Sequence, residues 1–195
     1  MYNRFRNEFQ HARKRRSGLY EPNEQVLFYD DFLDNNCLNK WSDAGTHTES
    51  AGQVWGATST GDMYTYAKFP ALDSWKLTIG MYTYNSSGSD NFVNIYDIGG
   101  GLASVFYYGT SYSSANNFFC DWGTNIGFAP SSGANHIIEI YYTPGLQTLW
   151  IDGVKRSTKN LGIAYTKEVG ISMNARNNAK NNGPLIFEKW GYPLT

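Results

Sequence analysis

From residue 25 onward, apolar side chains recur at every second position over short runs, the period of a strand with one buried face. The segment 75–84 shows it best: Trp75, Leu77, Ile79 and Met81 share one face, opposite Lys76, Thr78, Tyr82 and Tyr84. In 63–69, Tyr64, Tyr66 and Lys68 alternate with Met63, Thr65, Ala67 and Phe69. In 91–98, Val93 and Ile95 are separated in the same way from Phe92, Asn94 and Tyr96. Shorter strands are predicted at 26–29 and 53–56, and a buried one at the apolar run 102–108.

The later half adds turn chemistry. A strand over 136–142 meets the turn Thr143-Pro144-Gly145 and returns over 146–151. Asp152-Gly153 is a pair favoured in two-residue type I′ hairpins, and it leads into a strand at 154–157. Strands at 169–173 and 185–190 complete the set, and the Asn-rich stretch 174–182 reads as a loop. Turn signals at roughly 8–12-residue intervals predict an all-β protein, an antiparallel two-sheet β-sandwich or jelly roll. It forms one domain over 25–195.

Residues 1–24 break this pattern and read as a basic arm and linker. Tyr2, Phe5, Phe9 and Ala12 fall at helical spacing, so a short amphipathic helix is predicted, ended by Ser17-Gly18. Arg4, Arg6, Arg13, Lys14, Arg15 and Arg16 face Glu8 alone in the first 16 residues, a surplus of five positive charges. The whole chain carries a net charge of −1, so the remainder holds six negative charges in excess. A basic arm on an acidic body points to an arm with its own partner.

Composition narrows the class further. With 41% hydrophobic, 16% aromatic and 17% charged residues among 195, the chain is too aromatic for disorder and too poor in charge for a helical bundle. No apolar run in the first thirty residues has the length of a secretory signal, and none elsewhere reaches the roughly 18 residues of a membrane span. Synthesis in a cytoplasm is the expectation. Cys37 and Cys120 are too few for a disulfide framework; two free thiols or a single bridge are the alternatives.

Several of these segments resemble the concanavalin A-like lectin/glucanase superfamily, including its laminin G-like members. The similar pieces are the strand and turn Phe28-Tyr29-Asp30-Asp31-Phe32 followed by Trp41, and the mid-domain strand Trp75-Lys76-Leu77-Thr78-Ile79. The hairpin Leu149-Trp150-Ile151-Asp152-Gly153-Val154 and the closing strand Ile186-Phe187-Glu188-Lys189-Trp190 complete them. The resemblance covers about 25–193 and implies a jelly roll of two antiparallel sheets, one concave. It implies no activity, because one fold hosts many functions.

Catalysis finds little support. The hydrolytic branch of that superfamily carries Glu-x-Asp-x-x-Glu on one strand, which aims two carboxylates at one glycosidic bond. Here the corresponding strand reads Asn91-Phe92-Val93-Asn94-Ile95-Tyr96-Asp97, with no glutamate. His11, His47 and His136 lack zinc-ligand spacing, no nucleophile elbow occurs, and Gly99-Gly100-Gly101 lacks the Lys-Ser/Thr of a phosphate loop. The expectation is a protein without enzymatic activity and without a cofactor.

Three candidate sites remain. Tyr64, Tyr66, Tyr82, Tyr84, Phe92 and Tyr96 lie opposite the apolar strand faces, where aromatic rings either stack on sugars or simply cover a sheet. Asp30, Asp31 and Asp34 are hard oxygen donors of the kind calcium takes, although no calcium-loop spacing is present and a self-bonded turn explains them as well. In the arm, Arg4, Phe5, Arg6, Phe9, Arg13, Lys14, Arg15 and Arg16 suit an acidic protein surface, nucleic-acid phosphates or an anionic membrane surface.

A lectin-like sandwich without an export signal and with a basic arm suits a bacteriophage virion protein, decorating a capsid or tail and released by lysis. Its partners are then other virion proteins or copies of itself. The first alternative is a carbohydrate-binding module for cell-surface glycans using the Tyr-rich face. The second is a divergent glycoside hydrolase, for which Glu139 is the residue to test.

Overall fold

Alternation becomes strand wherever it was strongest. A computed structural model describes residues 25–42, 47–56, 63–67, 74–82, 90–97, 101–109, 117–120, 124–125, 133–160, 169–176 and 180–189. The strands are β1 (Gln25–Asp30), β2 (His47–Ser50), β3 (Gln53–Gly56), β4 (Met63–Ala67), β5 (Trp75–Tyr82), β6 (Asp90–Asp97) and β7 (Gly101–Gly109). They continue with β8 (Asn117–Cys120), β9 (Thr124–Asn125), β10 (Asn135–Thr143), β11 (Leu146–Ile151), β12 (Val154–Asn160), β13 (Val169–Arg176) and β14 (Lys180–Lys189). Asp152 and Gly153 have φ of 53° and 75°, as the type I′ turn between β11 and β12 requires.

The strands form two antiparallel sheets of a jelly-roll sandwich. Sheet I runs β12-β11-β10-β5-β14, and β14 continues at its other edge to β1 along one half and to β3 and β2 along the other. Sheet II runs β4-β13-β6-β7-β8-β9. One parallel pairing, Arg176 with Gly56, joins the two at an edge. Between them lies a single apolar core: Trp75, Leu77, Ile79 and Met81 of β5 and Ile138, Ile140 and Tyr142 of β10 meet Val93, Ile95, Ile171 and Met173 of sheet II. Trp75 stacks on Tyr142 with ring centroids 5.2 Å apart and tilts against Phe187 at 5.5 Å.

The exit of β1 is fastened by one carboxylate. Asp30 is 1% exposed, and it accepts from the Phe32 N–H at 3.0 Å, the Lys40 ammonium at 2.9 Å and the Trp41 indole N–H at 2.7 Å. Phe32 and Trp41, both fully buried, belong to the apolar core, and a 3-10 turn at Cys37–Asn39 lies between them. The Phe32 carbonyl then accepts from Gly52 N–H, and the Gly52 carbonyl from Gly183 N–H, so the β1 loop, the β2–β3 turn and β14 meet at one point. Glycine is required at 183: a Cβ there would lie 2.5 Å from the Asp31 carbonyl oxygen.

The Asn-rich stretch read as a loop is largely strand instead: β13 continues to Arg176 and β14 begins at Lys180. Asparagine is a poor strand former on average, but here the amides have specific partners. Asn181, fully buried, donates across to the Asn174 carbonyl at 3.0 Å, and Asn182 bonds to both Gln53 and Asn135.

Asp30→Ala leaves a buried indole N–H and a partly buried ammonium without their acceptor. It is expected to lower unfolding stability by about 3 kcal/mol in urea denaturation. A change below about 1 kcal/mol would show that the loop is held by apolar packing instead.

Candidate functional site

The acidic candidate is already filled by a cation of the protein itself. Lys40 Nζ lies 2.9 Å from Asp30, 4.0 Å from Asp31 and 3.9 Å from Asp34, so the three carboxylates converge on an ammonium. No cluster of three metal-binding side chains occurs among the described residues. Burial opposes the charge of Lys40, yet the hydrogen bond it donates to Asp30 and the surrounding carboxylates raise its pKa above the ordinary lysine value. Asp34 is held below the carboxylate range by hydrogen bonds from the Asn39 amide and the Asn36 N–H. Glu49, 5% exposed, takes the Asn35 N–H at 3.1 Å, and burial together with Asp34 and Asp30 pushes it up to about 7. Cys37 beside them is free and buried, its thiol pushed up to about 12 by burial and then by Glu49 and Asp30, so a Cys37–Cys120 bridge is absent.

The aromatic candidates divide between the sheets. Cross-strand register places Tyr66, Gly170 and Tyr96 in one row of sheet II, and Tyr64, Ser172 and Asn94 in the next. Phe92 pairs with Asn174 one row further on. These positions alternate with Val93, Ile95, Ile171 and Met173, so they belong to the face turned away from the core. Asn94, Ser172 and Asn174 on that face are nonetheless buried, and Asn94 donates to the Ser172 hydroxyl at 2.8 Å. Tyr82 lies elsewhere, on the outward face of sheet I beside Asn135 and Lys180, because β5 pairs with β10 and β14. Alternation assigns a residue to a face of its own strand; it does not say which strands are neighbours. Tyr84 and the arm residues Arg4, Phe5, Arg6, Phe9, Arg13, Lys14, Arg15 and Arg16 lie outside the described residues.

Sheet I carries two polar groupings on its outward face that the sequence did not disclose. In one, Lys76 Nζ lies 3.2 Å from Glu139 and 3.6 Å from Glu188, with its charge 5.2 Å from the Tyr141 ring centroid. Burial works against this ammonium, but Tyr141, Glu139 and Glu188 raise its pKa and keep it charged. Glu139, the residue singled out to test hydrolysis, is thus tied with Glu188 to one lysine. In the other, Gln53, Asn135, Lys180 and Asn182 are linked by side-chain hydrogen bonds beside Trp55.

No protein-family model matches the chain, and no curated protein matches it in sequence. Solved structures do match. A chain described as a sialidase superposes with a TM-score of 0.60 at 12% identity over 88% of this chain, which spans only 19% of that chain's length. The CBM2 module of the Lactobacillus casei BL23 phage J-1 evolved Dit gives 0.58 at 10% identity, covering 88% of this chain and 98% of that one. The potassium-bound carbohydrate recognition domain of Emp46p gives 0.55 at 9% identity, covering 86% and 97%. At such identities the likeness shows the fold alone: a jelly-roll β-sandwich, consistent with a concanavalin A-like architecture.

Glu49 gives the acidic corner a pH signature. A carboxyl whose pKa rises on folding from 4.5 to about 7 binds more protons folded than unfolded. Its stabilising contribution is therefore complete below about 4.5 and is lost as pH rises through 7. The wild-type Tm should fall by a few degrees relative to Glu49→Gln between pH 5 and pH 8. Parallel Tm profiles for the two proteins would contradict this.

Proposed function

We propose that the protein is a carbohydrate-binding module that reads a glycan on the outward face of sheet II. The observation that carries this reading is the register of Tyr64, Tyr66, Phe92 and Tyr96 around the Asn94–Ser172 hydrogen bond. Aromatic rings take the C–H faces of sugars, and the buried Asn94–Ser172 bond ties β6 to β13 in the register that sets those rings in adjacent rows. Neighbours in fold that are themselves a carbohydrate recognition domain and a CBM2 module support it. Glycan-array binding by the wild type, reduced at least tenfold by Tyr66→Ala or Tyr96→Ala with the fold intact, is the expected result. Binding to no glycan at all would overturn it.

A bacteriophage virion as the place of this module is a second reading, supported by the phage protein among the structural neighbours and by the basic composition of residues 1–24. In it the arm anchors the module to the assembly. At near-physiological salt the full chain is expected to be recovered in an assembly, and the chain lacking residues 1–24 as a monomer. A full chain that is monomeric, with truncation changing nothing, would contradict an anchoring arm.

A further inference from the structure

The amide grouping on sheet I has a direction. Lys180 Nζ donates to Gln53 Oε1 at 3.1 Å, Gln53 Nε2 to Asn182 Oδ1 at 2.8 Å, and Asn182 Nδ2 to Asn135 Oδ1 at 2.7 Å. The order of oxygens and nitrogens follows from chemistry, because an ammonium only donates. Gln53 must turn its oxygen toward Lys180, which turns its nitrogen toward Asn182, and so on along the chain. Each bond polarises the next in the same sense. The relay ends at Asn135, an exposed residue whose Nδ2 has no partner among the described residues.

The relay crosses β5 at Gly80, and it can do so only because that position has no side chain. A Cβ there would lie 2.8 Å from the Asn182 carbonyl oxygen and 2.9 Å from the Asn182 Cβ. Half-buried Tyr82 stands between Lys180 and Asn135 in the adjacent row, and Trp55 lies beneath Lys180 at 5.2 Å from its ring centroid. Two aromatic rings thus flank a set of rigid amides whose open end is a donor. No carboxylate of the described residues hydrogen-bonds to Gln53, Asn135 or Asn182.

We propose that this row is a second saccharide subsite, on the sheet opposite the first, selective for a sugar residue that carries a carboxylate. The carboxylate accepts from Asn135 Nδ2, at the end of a relay polarised by the Lys180 ammonium, and the pyranose ring packs against Tyr82. A neutral hexose offers only hydroxyls at that point, and a hydroxyl is a weaker acceptor than a carboxylate for the same N–H. Gln53 is a positioning residue: it fixes which end of each following amide faces outward without touching the ligand.

The test is amide-resolved NMR titration of the full chain with glucuronic acid and, separately, glucose. Saturable shifts at Tyr82, Asn135 and Asn182 with glucuronic acid are expected, with glucose binding at least tenfold weaker. Asn135→Ala and Gln53→Met should each weaken glucuronic acid binding several-fold while leaving the remaining spectrum in place. Tyr66→Ala, on sheet II, should leave it unchanged, so failure here and failure of the sheet II reading are separable. Equal response to the two sugars, no response to either, or binding indifferent to both relay substitutions would overturn the proposal.

Discussion

The shared carboxylate of Asp30 sets the end of the sandwich from which its polar surfaces are built. It gathers a backbone N–H, an ammonium and an indole N–H at one buried point, and those donors belong to residues up to Trp41. Closing the loop this way lowers Phe32 and Trp41 into the core and aims the Phe32 carbonyl at Gly52. Through Gly52 and Gly183 the same junction sets β3 against β14, in the register that brings Gln53 to Asn182. A structural knot at one end thus continues directly into the amide relay on the outward face.

Elsewhere the same economy holds. Among the described residues, two sets of partly buried ions are grouped: Lys40 with the Asp30 corner, and Lys76 with Glu139 and Glu188. Buried ion groups of this sort add little net stability but cost several kcal/mol when one partner is removed. They hold their strands in a fixed geometry. Under the proposed sugar-binding reading, pre-bonded amides on the sheets leave little side-chain order to be gained when a ligand arrives.

Much of this was legible in the sequence, for physical reasons that particular residues make plain. Alternation at 75–82 found β5 and its core face, and Asp152-Gly153 found a hairpin whose φ angles only a short list of residues tolerates. The pairing of strands was not legible, because period two says nothing about neighbours; Tyr82 therefore belongs to the sheet opposite Tyr64, Tyr66, Phe92 and Tyr96. The strands at Asn174 and Asn181 were hidden too. Asn181 is held by the Asn174 carbonyl of the preceding strand, and Asn182 by Gln53 and Asn135 far away in the chain, whereas propensity measures only local cost. Lys40 likewise gave no sign that it would neutralise Asp30, Asp31 and Asp34, since that depends on how the loop closes.

The proposed binding of sugar on the outward sheet faces is best checked by a structure of the chain crystallised with the best ligand from a glycan screen. Sugar is expected on the face of β4, β13 and β6, against Tyr64, Tyr66 or Tyr96. Sugar bound only at loop tips or chain ends, away from both outward faces, would contradict it.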